Sequence, residues 1–159
     1  MVLAWVAGVV LAAQSPVVFD ASALAEYGLV VTPDGTLPLP GVGVTLSAGP
    51  RLTPGLAVVG LLDGEVFFAP DGLVLGDGAL LVGVQLGQRG HATLGVGAGY
   101  SLLGDATGSV GQFTFSAAVT AVAPIDGGPF GFHFRLAFAA VPGGLYMLSL
   151  GIGLGGSVL

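Results

Sequence analysis

The sequence predicts an all-β fold, an up-and-down antiparallel transmembrane β-barrel of eight strands. Three observations predict it. Apolar residues alternate with small or polar ones at a period of two through most of the chain. Charged residues make up 8% and hydrophobic residues 53%, with a mean hydropathy of +0.96, too few charges to clothe a soluble globule. Thirty glycines and ten prolines among 159 residues interrupt every long stretch that a helix would need.

The elements follow in chain order. Val2 to Ala13 is an apolar run too short for a membrane helix, which takes about 20 residues. It reads as the apolar region of a secretory leader, with Ala12 and Ala13 as small residues for cleavage, although no Lys or Arg precedes it. The chain then divides into a signal peptide, residues 1–13, and a barrel, residues 14–159. In the first strand, Ala21, Ala23, Ala25, Tyr27, Leu29 and Val31 share one face, opposite Ser22, Glu26, Gly28 and Thr32. Asp20 followed by Ala21 to Glu26 also fits a short capped helix ending at Gly28.

Val42, Val44, Leu46 and Ala48 alternate with Gly43, Thr45, Ser47 and Gly49. Leu56, Val58, Leu62, Val66 and Phe68 oppose Ala57, Val59, Leu61, Asp63, Glu65 and Phe67. Leu80, Val82, Val84 and Leu86 alternate with Leu81, Gly83, Gln85 and Gly87. The same split covers Leu94–Leu102, Phe113–Ala121 and Tyr146–Leu154. From Phe130 to Phe138 it is clearest: four phenylalanines and Leu136 on one face, with Gly131, His133, Arg135 and Ala137 on the other. Two uncharged stretches, 106–125 and 136–159, are long enough for membrane helices, but Pro142-Gly143-Gly144 breaks the second and the dyad pattern dominates.

Turn signals separate the strands: Asp34-Gly35, Thr53-Pro54-Gly55, Asp71-Gly72, Asp77-Gly78, Arg89-Gly90, Asp126-Gly127-Gly128 and Pro142-Gly143-Gly144. The first five connections read long, short, long, short, long: 33–40, 53–55, 69–77, 88–91 and 104–111. Outer-membrane barrels alternate long external loops with short internal turns in this way. If 130–141 and 145–155 pair across Gly143, His133 falls opposite Gly153 and Arg135 opposite Gly151.

The charges sort by face. With the more apolar face of each strand outward, Glu26, Arg51, Asp63, Glu65, Gln85, His133 and Arg135 all point inward as a candidate polar network of the lumen. Asp34, Asp71, Asp77, Arg89, Asp105 and Asp126 fall in connections, and His91 in a solvated turn. The first four of these acids suit divalent cations, though ordinary Asp-Gly turn chemistry also accounts for them. A water-facing sheet would need Lys, Glu and Gln on its outer surface, whereas a narrow lumen needs small residues.

Function classes narrow accordingly. Nine acids stand against Arg51, Arg89 and Arg135 with no Lys, a net charge of −6, so nucleic acid is excluded as a partner. Cysteine is absent, which removes disulfides and thiolate chemistry. A single turn histidine does not make a metal site, and no cofactor is implied.

On residues 21–155 the alternating strands, together with the leader, resemble the small outer-membrane β-barrels, the eight-stranded group that includes the membrane domain of OmpA, OmpX and OmpW. The resemblance is architectural and transfers no functional residues. It implies a monomer in the bacterial outer membrane, contacting outer-membrane lipid and lipopolysaccharide and placed there by the barrel-assembly machinery. It also implies strand-end aromatics, here Tyr27, Phe67, Phe68, Tyr100, Phe113, Phe130 and Tyr146, and a C-terminal aromatic, where this chain has Leu159.

The leading expectation is a non-enzymatic barrel with a structural, adhesive or narrow solute-passage role. A lipid-modifying enzyme would use His133 as base with one of the inward Ser47, Ser101, Ser116 or Ser149. The outer-membrane lipid A deacylases carry a His-x-Ser motif that His133-Phe134-Arg135 does not supply. A secreted soluble barrel holding an apolar ligand inside, in the lipocalin manner, is the third reading. N-terminal sequencing of the mature protein should start at Ala13 or Gln14, and a membrane-inserted chain retaining Met1 would refute the leader.

Overall fold

The computed structural model describes residues 17–158 except 71, 89, 106–107 and 127–128. The leader, Trp5 within it, and Leu159 lie outside the described residues, as do Asp71 and Arg89. Eight strands follow in order: β1 Val17–Thr32, β2 Gly35–Thr53, β3 Leu56–Phe68, β4 Val74–Gly87, β5 His91–Asp105, β6 Gly108–Pro124, β7 Phe130–Val141 and β8 Leu145–Val158. Each pairs antiparallel with the next, and β1 pairs with β8, from Phe19↔Val158 to Val31↔Tyr146, so the sheet closes on itself. Every strand therefore has two neighbours, which satisfies the backbone in lipid, where water cannot.

The face assignments hold in all eight strands. Along β1 and β7 burial alternates residue by residue, with the inward member buried. Outward positions such as Leu80, Phe113, Phe115 and Leu150 are well exposed although apolar. Among the described residues no charged side chain takes an outward strand position; Thr36, Thr53 and Ser109, near strand ends, are the polar exceptions. This is the reverse of a soluble barrel, so the water-soluble lipocalin-like reading fails on the exterior. The expected β7–β8 register is also found: His133 faces Gly153 and Arg135 faces Gly151.

Several expectations are corrected. Ala21–Gly28 is strand, not helix, and Asp20 points into the barrel. The described parts of 106–125 and 136–159 form β6, β7 and β8, and no described helix is long and apolar enough to cross a membrane. The long loops are not long: 33–40 shrinks to a turn at 33–34, and β2 already runs from Gly35. Pro38 and Pro40, which read as loop residues, pair with Leu29 and Tyr27. They are tolerated because the β2–β3 ladder begins only at Gly41↔Phe67, so beyond it β2 has a free side where no amide is needed. Likewise β4 already runs from Val74, within 69–77, and β5 reaches Asp105 and β6 starts at Gly108, within 104–111.

The β1–β2, β3–β4, β5–β6 and β7–β8 pairs are each connected at the end opposite the chain termini, called here the far end. The β2–β3, β4–β5 and β6–β7 pairs are connected at the terminal end. The β7–β8 turn needs its glycines: Gly143 and Gly144 have φ of 116° and 97°, a left-handed pair that β-branched or bulky residues resist. Tyr27, Phe68, Tyr100, Phe113, Phe130 and Tyr146 face outward, whereas Phe67, grouped with them as a strand-end aromatic but inward by alternation, is fully buried inside the lumen as that alternation requires.

Leu150 lies near the middle of β8 on the outward face. Leu150→Arg should lose about 2–4 kcal/mol of folding free energy in lipid vesicles, because nothing at that depth solvates a guanidinium. Leu150→Phe should be nearly neutral. Equal stability of Leu150→Arg and the parent in urea titrations would overturn the lipid-facing assignment.

A candidate polar site inside the barrel

The lumen is narrow, so each large inward side chain needs a small neighbour. Glycines supply it. A Cβ on Gly43 or on Gly151 would come within 2.5 Å of Glu26 Oε1. One on Gly155 would come within 2.6 Å of His133 Nε2. The inward glycines of β2 and β8 are thus the space in which the polar groups of β1 and β7 lie.

Arg135, 4% exposed, is the hub. Its Nη1 donates to Glu65 Oε2 at 2.6 Å, Ser149 Oγ at 3.0 Å and Glu26 Oε1 at 3.2 Å. Nε donates to Asp63 Oδ2 at 3.1 Å, and Nη2 bonds the same oxygen. Ser149 Oγ in turn donates to Glu65 Oε2 at 2.8 Å. One cation thereby ties β7 and β8 to β1 and β3 across the lumen. Three carboxylates around one guanidinium leave an excess of negative charge, and Glu26 Oε2 and Asp63 Oδ1 are buried without a protein partner. Asp77, hydrogen-bonded by Ser101 Oγ, adds a further buried acid.

A second cluster lies toward the terminal end. Asp20 Oδ2 bonds His91 Nε2 at 3.0 Å and accepts from Ser47 Oγ at 3.2 Å and Gln85 Nε2 at 3.4 Å. His133 is buried at the same end with Nε2 unpartnered, as is His91 Nδ1.

Of the seven candidate lumen residues, Glu26, Asp63, Glu65 and Arg135 thus come together, Gln85 joins the Asp20 cluster, and His133 sits near it without a hydrogen bond from Nε2. Arg51 stands apart, half-buried beside the β2–β3 turn, where the β2–β3 register shifts between Arg51 and Thr53. Sequence reasoning missed Asp20, placed before the first strand, Asp77, placed in a loop, and His91, placed in a solvated turn. All three are inward strand residues. Parity from the well-marked strands, extended outward by two or three residues, would have found each.

No family model matches the chain, and no curated protein matches it in sequence. Solved structures match in shape. Ail of Yersinia pestis, solved with the heparin analogue sucrose octasulfate, superposes with a TM-score of 0.62 at 12% identity, over 89% of this chain and 99% of that one. Neisserial surface protein A gives 0.60 at 12%, over 87% and 96%. OprG of Pseudomonas aeruginosa gives 0.58 at 8%, over 91% and 96%. The fold is that of the eight-stranded outer-membrane β-barrels. At these identities the likeness shows the barrel fold alone.

Arg135→Leu should cost about 3–5 kcal/mol, since it strands three buried carboxylates. Glu26→Gln should cost much less, about 1 kcal/mol, because Asp63 and Glu65 still hold the guanidinium. Equilibrium urea unfolding of the refolded barrel in vesicles measures both, and equal losses would show that Arg135 is not the hub.

Proposed function

We propose that the chain is a non-enzymatic, monomeric barrel of the bacterial outer membrane, inserted by the barrel-assembly machinery, with a structural role rather than solute passage. The observation that supports this most is the filled lumen. The Arg135 cluster spans it from β7 and β8 to β1 and β3. Above it Phe67 packs with Val30, Leu39, Leu75, Ala139 and Met147. The ring is accommodated by Gly28 and Gly41, where a Cβ would come within 2.7 and 2.5 Å of it. Charged and apolar plugs in series leave little room for a hydrated solute.

Adhesion through a polyanion, the chemistry of the sulfated ligand bound to Ail, has weak support here. At the far end the described turns carry Asp34 and no Lys or Arg, Arg135 is buried, and Arg51 is at the opposite end. The enzyme reading also weakens on geometry. A His91–Asp20 pair exists, yet Ser47 donates to Asp20 and not to an imidazole. A nucleophile needs its hydroxyl on the base.

Planar-bilayer recordings test the proposal. The refolded protein should show no steady conductance, and Phe67→Ser together with Met147→Ser should raise leakage. A stable open-pore current from the parent chain would overturn the closed-barrel reading.

A further inference from the structure

The far end of the lumen is unlike the rest of it. Beyond the Phe67 layer the barrel opens into a cavity of about 270 Å³. Its wall is Val30, Leu37, Leu39, Leu73, Leu75, Leu103, Val110, Val141 and Leu145, with Thr32, Ser101 and Gln112 as the polar members. The strand residues among these have inward parity, so the cup is part of the lumen and not a groove of the lipid face. The lumen of an outer-membrane barrel is ordinarily polar. Nine aliphatic side chains around a water-accessible mouth therefore call for an explanation, since exposed apolar concavities with a few polar groups are ligand sites by default.

We infer that this cup binds a neutral apolar molecule with a short alkyl chain and at most a hydroxyl or carbonyl group. The wall supplies apolar contact, and the Gln112 amide supplies a hydrogen bond to one polar atom, the Thr32 hydroxyl being engaged with Gly35 O and Asp34 N. Charge selects against an anion: Asp77 lies beneath, bonded to Ser101, and Asp34 stands in the β1–β2 turn at the same end. Val30, Leu39 and Leu75 line the cup and pack on the buried Phe67, which closes the lumen below them, so the cup is a site of residence and not the entrance of a passage. The inference goes beyond the structural role and does not depend on it.

Photolabelling with a diazirine-bearing octanol tests this on the barrel in phosphatidylcholine nanodiscs. Labelling of the peptides holding Val30–Leu39, Leu73–Leu75 and Val141–Leu145 should saturate and fall at least tenfold with excess octanol. Octanoate should compete at least tenfold less well. Val141→Trp, which fills the cup, should abolish the saturable component, while Leu150→Trp on the lipid face should leave it unchanged. Should Val141→Trp not fold by heat-modifiable gel migration, Leu145→Phe takes its place. Labelling that never saturates, or that stays on outward residues, overturns the site. Equal competition by octanoate overturns its selectivity for neutral ligands.

Discussion

The buried guanidinium of Arg135 is the interaction around which the interior is organised. A charge in a narrow, lipid-encircled lumen has little water to solvate it, so it must be met by carboxylates and hydroxyls from the surrounding wall. Glu26, Asp63, Glu65 and Ser149 meet it from three other strands. This in turn dictates glycine at Gly43 and Gly151, because a Cβ there would occupy the space of the Glu26 carboxylate. The glycine content of the chain is thus partly a packing requirement of its charges. It is also a constraint on register, since a one-residue slip would bring side chains where the carboxylates now lie.

The exterior obeys the complementary constraint. Lipid offers no partner to a polar group, so the strands present Val, Leu, Phe, Ala and Gly outward and the backbone closes into a ring. Closure removes the edge strands that would otherwise pair with other chains. The few charges of the sequence are then sufficient, because those inside strands serve the lumen and need not clothe a water-facing surface. The apparent poverty in charge and the apolar composition are the same fact seen from the two faces of one sheet.

Much of this was legible from the period of two. Parity assigned the face of Glu26, Asp63, Glu65, Gln85, His133 and Arg135, and the glycine turn at 143–144 set the β7–β8 register. What parity does not encode is where a strand stops and which strands face each other across the lumen. Asp77-Gly78 has the composition of a turn, yet inside β4 it places an acid in the lumen and a glycine toward lipid. Pro38 and Pro40 look like breakers until the neighbouring strand is known to end short of them. His91 opens β5, and only closure brings it to Asp20, 71 residues away in sequence. The convergence of Arg135 with residues of β1 and β3 is likewise a property of the ring and not of any local segment.

The position of Phe67 carries this one step further. The lumen places its ion pairs toward the middle and terminal end, beside a buried cluster that includes Val18, Val59, Leu61 and Leu81, and lines its far mouth with aliphatic residues, with the Phe67 ring between the ion pairs and that mouth. Ion pairs gain strength as water is excluded, because the Coulomb attraction scales inversely with the local dielectric. An apolar layer above Arg135 therefore strengthens the contacts below it, and the same layer forms the floor of the cup above. The glycines Gly28 and Gly41 admit the ring, so two residues without side chains help to set the Arg135 ion pairs apart from the apolar mouth. In that arrangement the hydrophobic mouth and the buried charges are not separate features: the ring that seals the ion pairs from water packs against Val30, Leu39 and Leu75, which bound the cavity that we assign to an apolar guest.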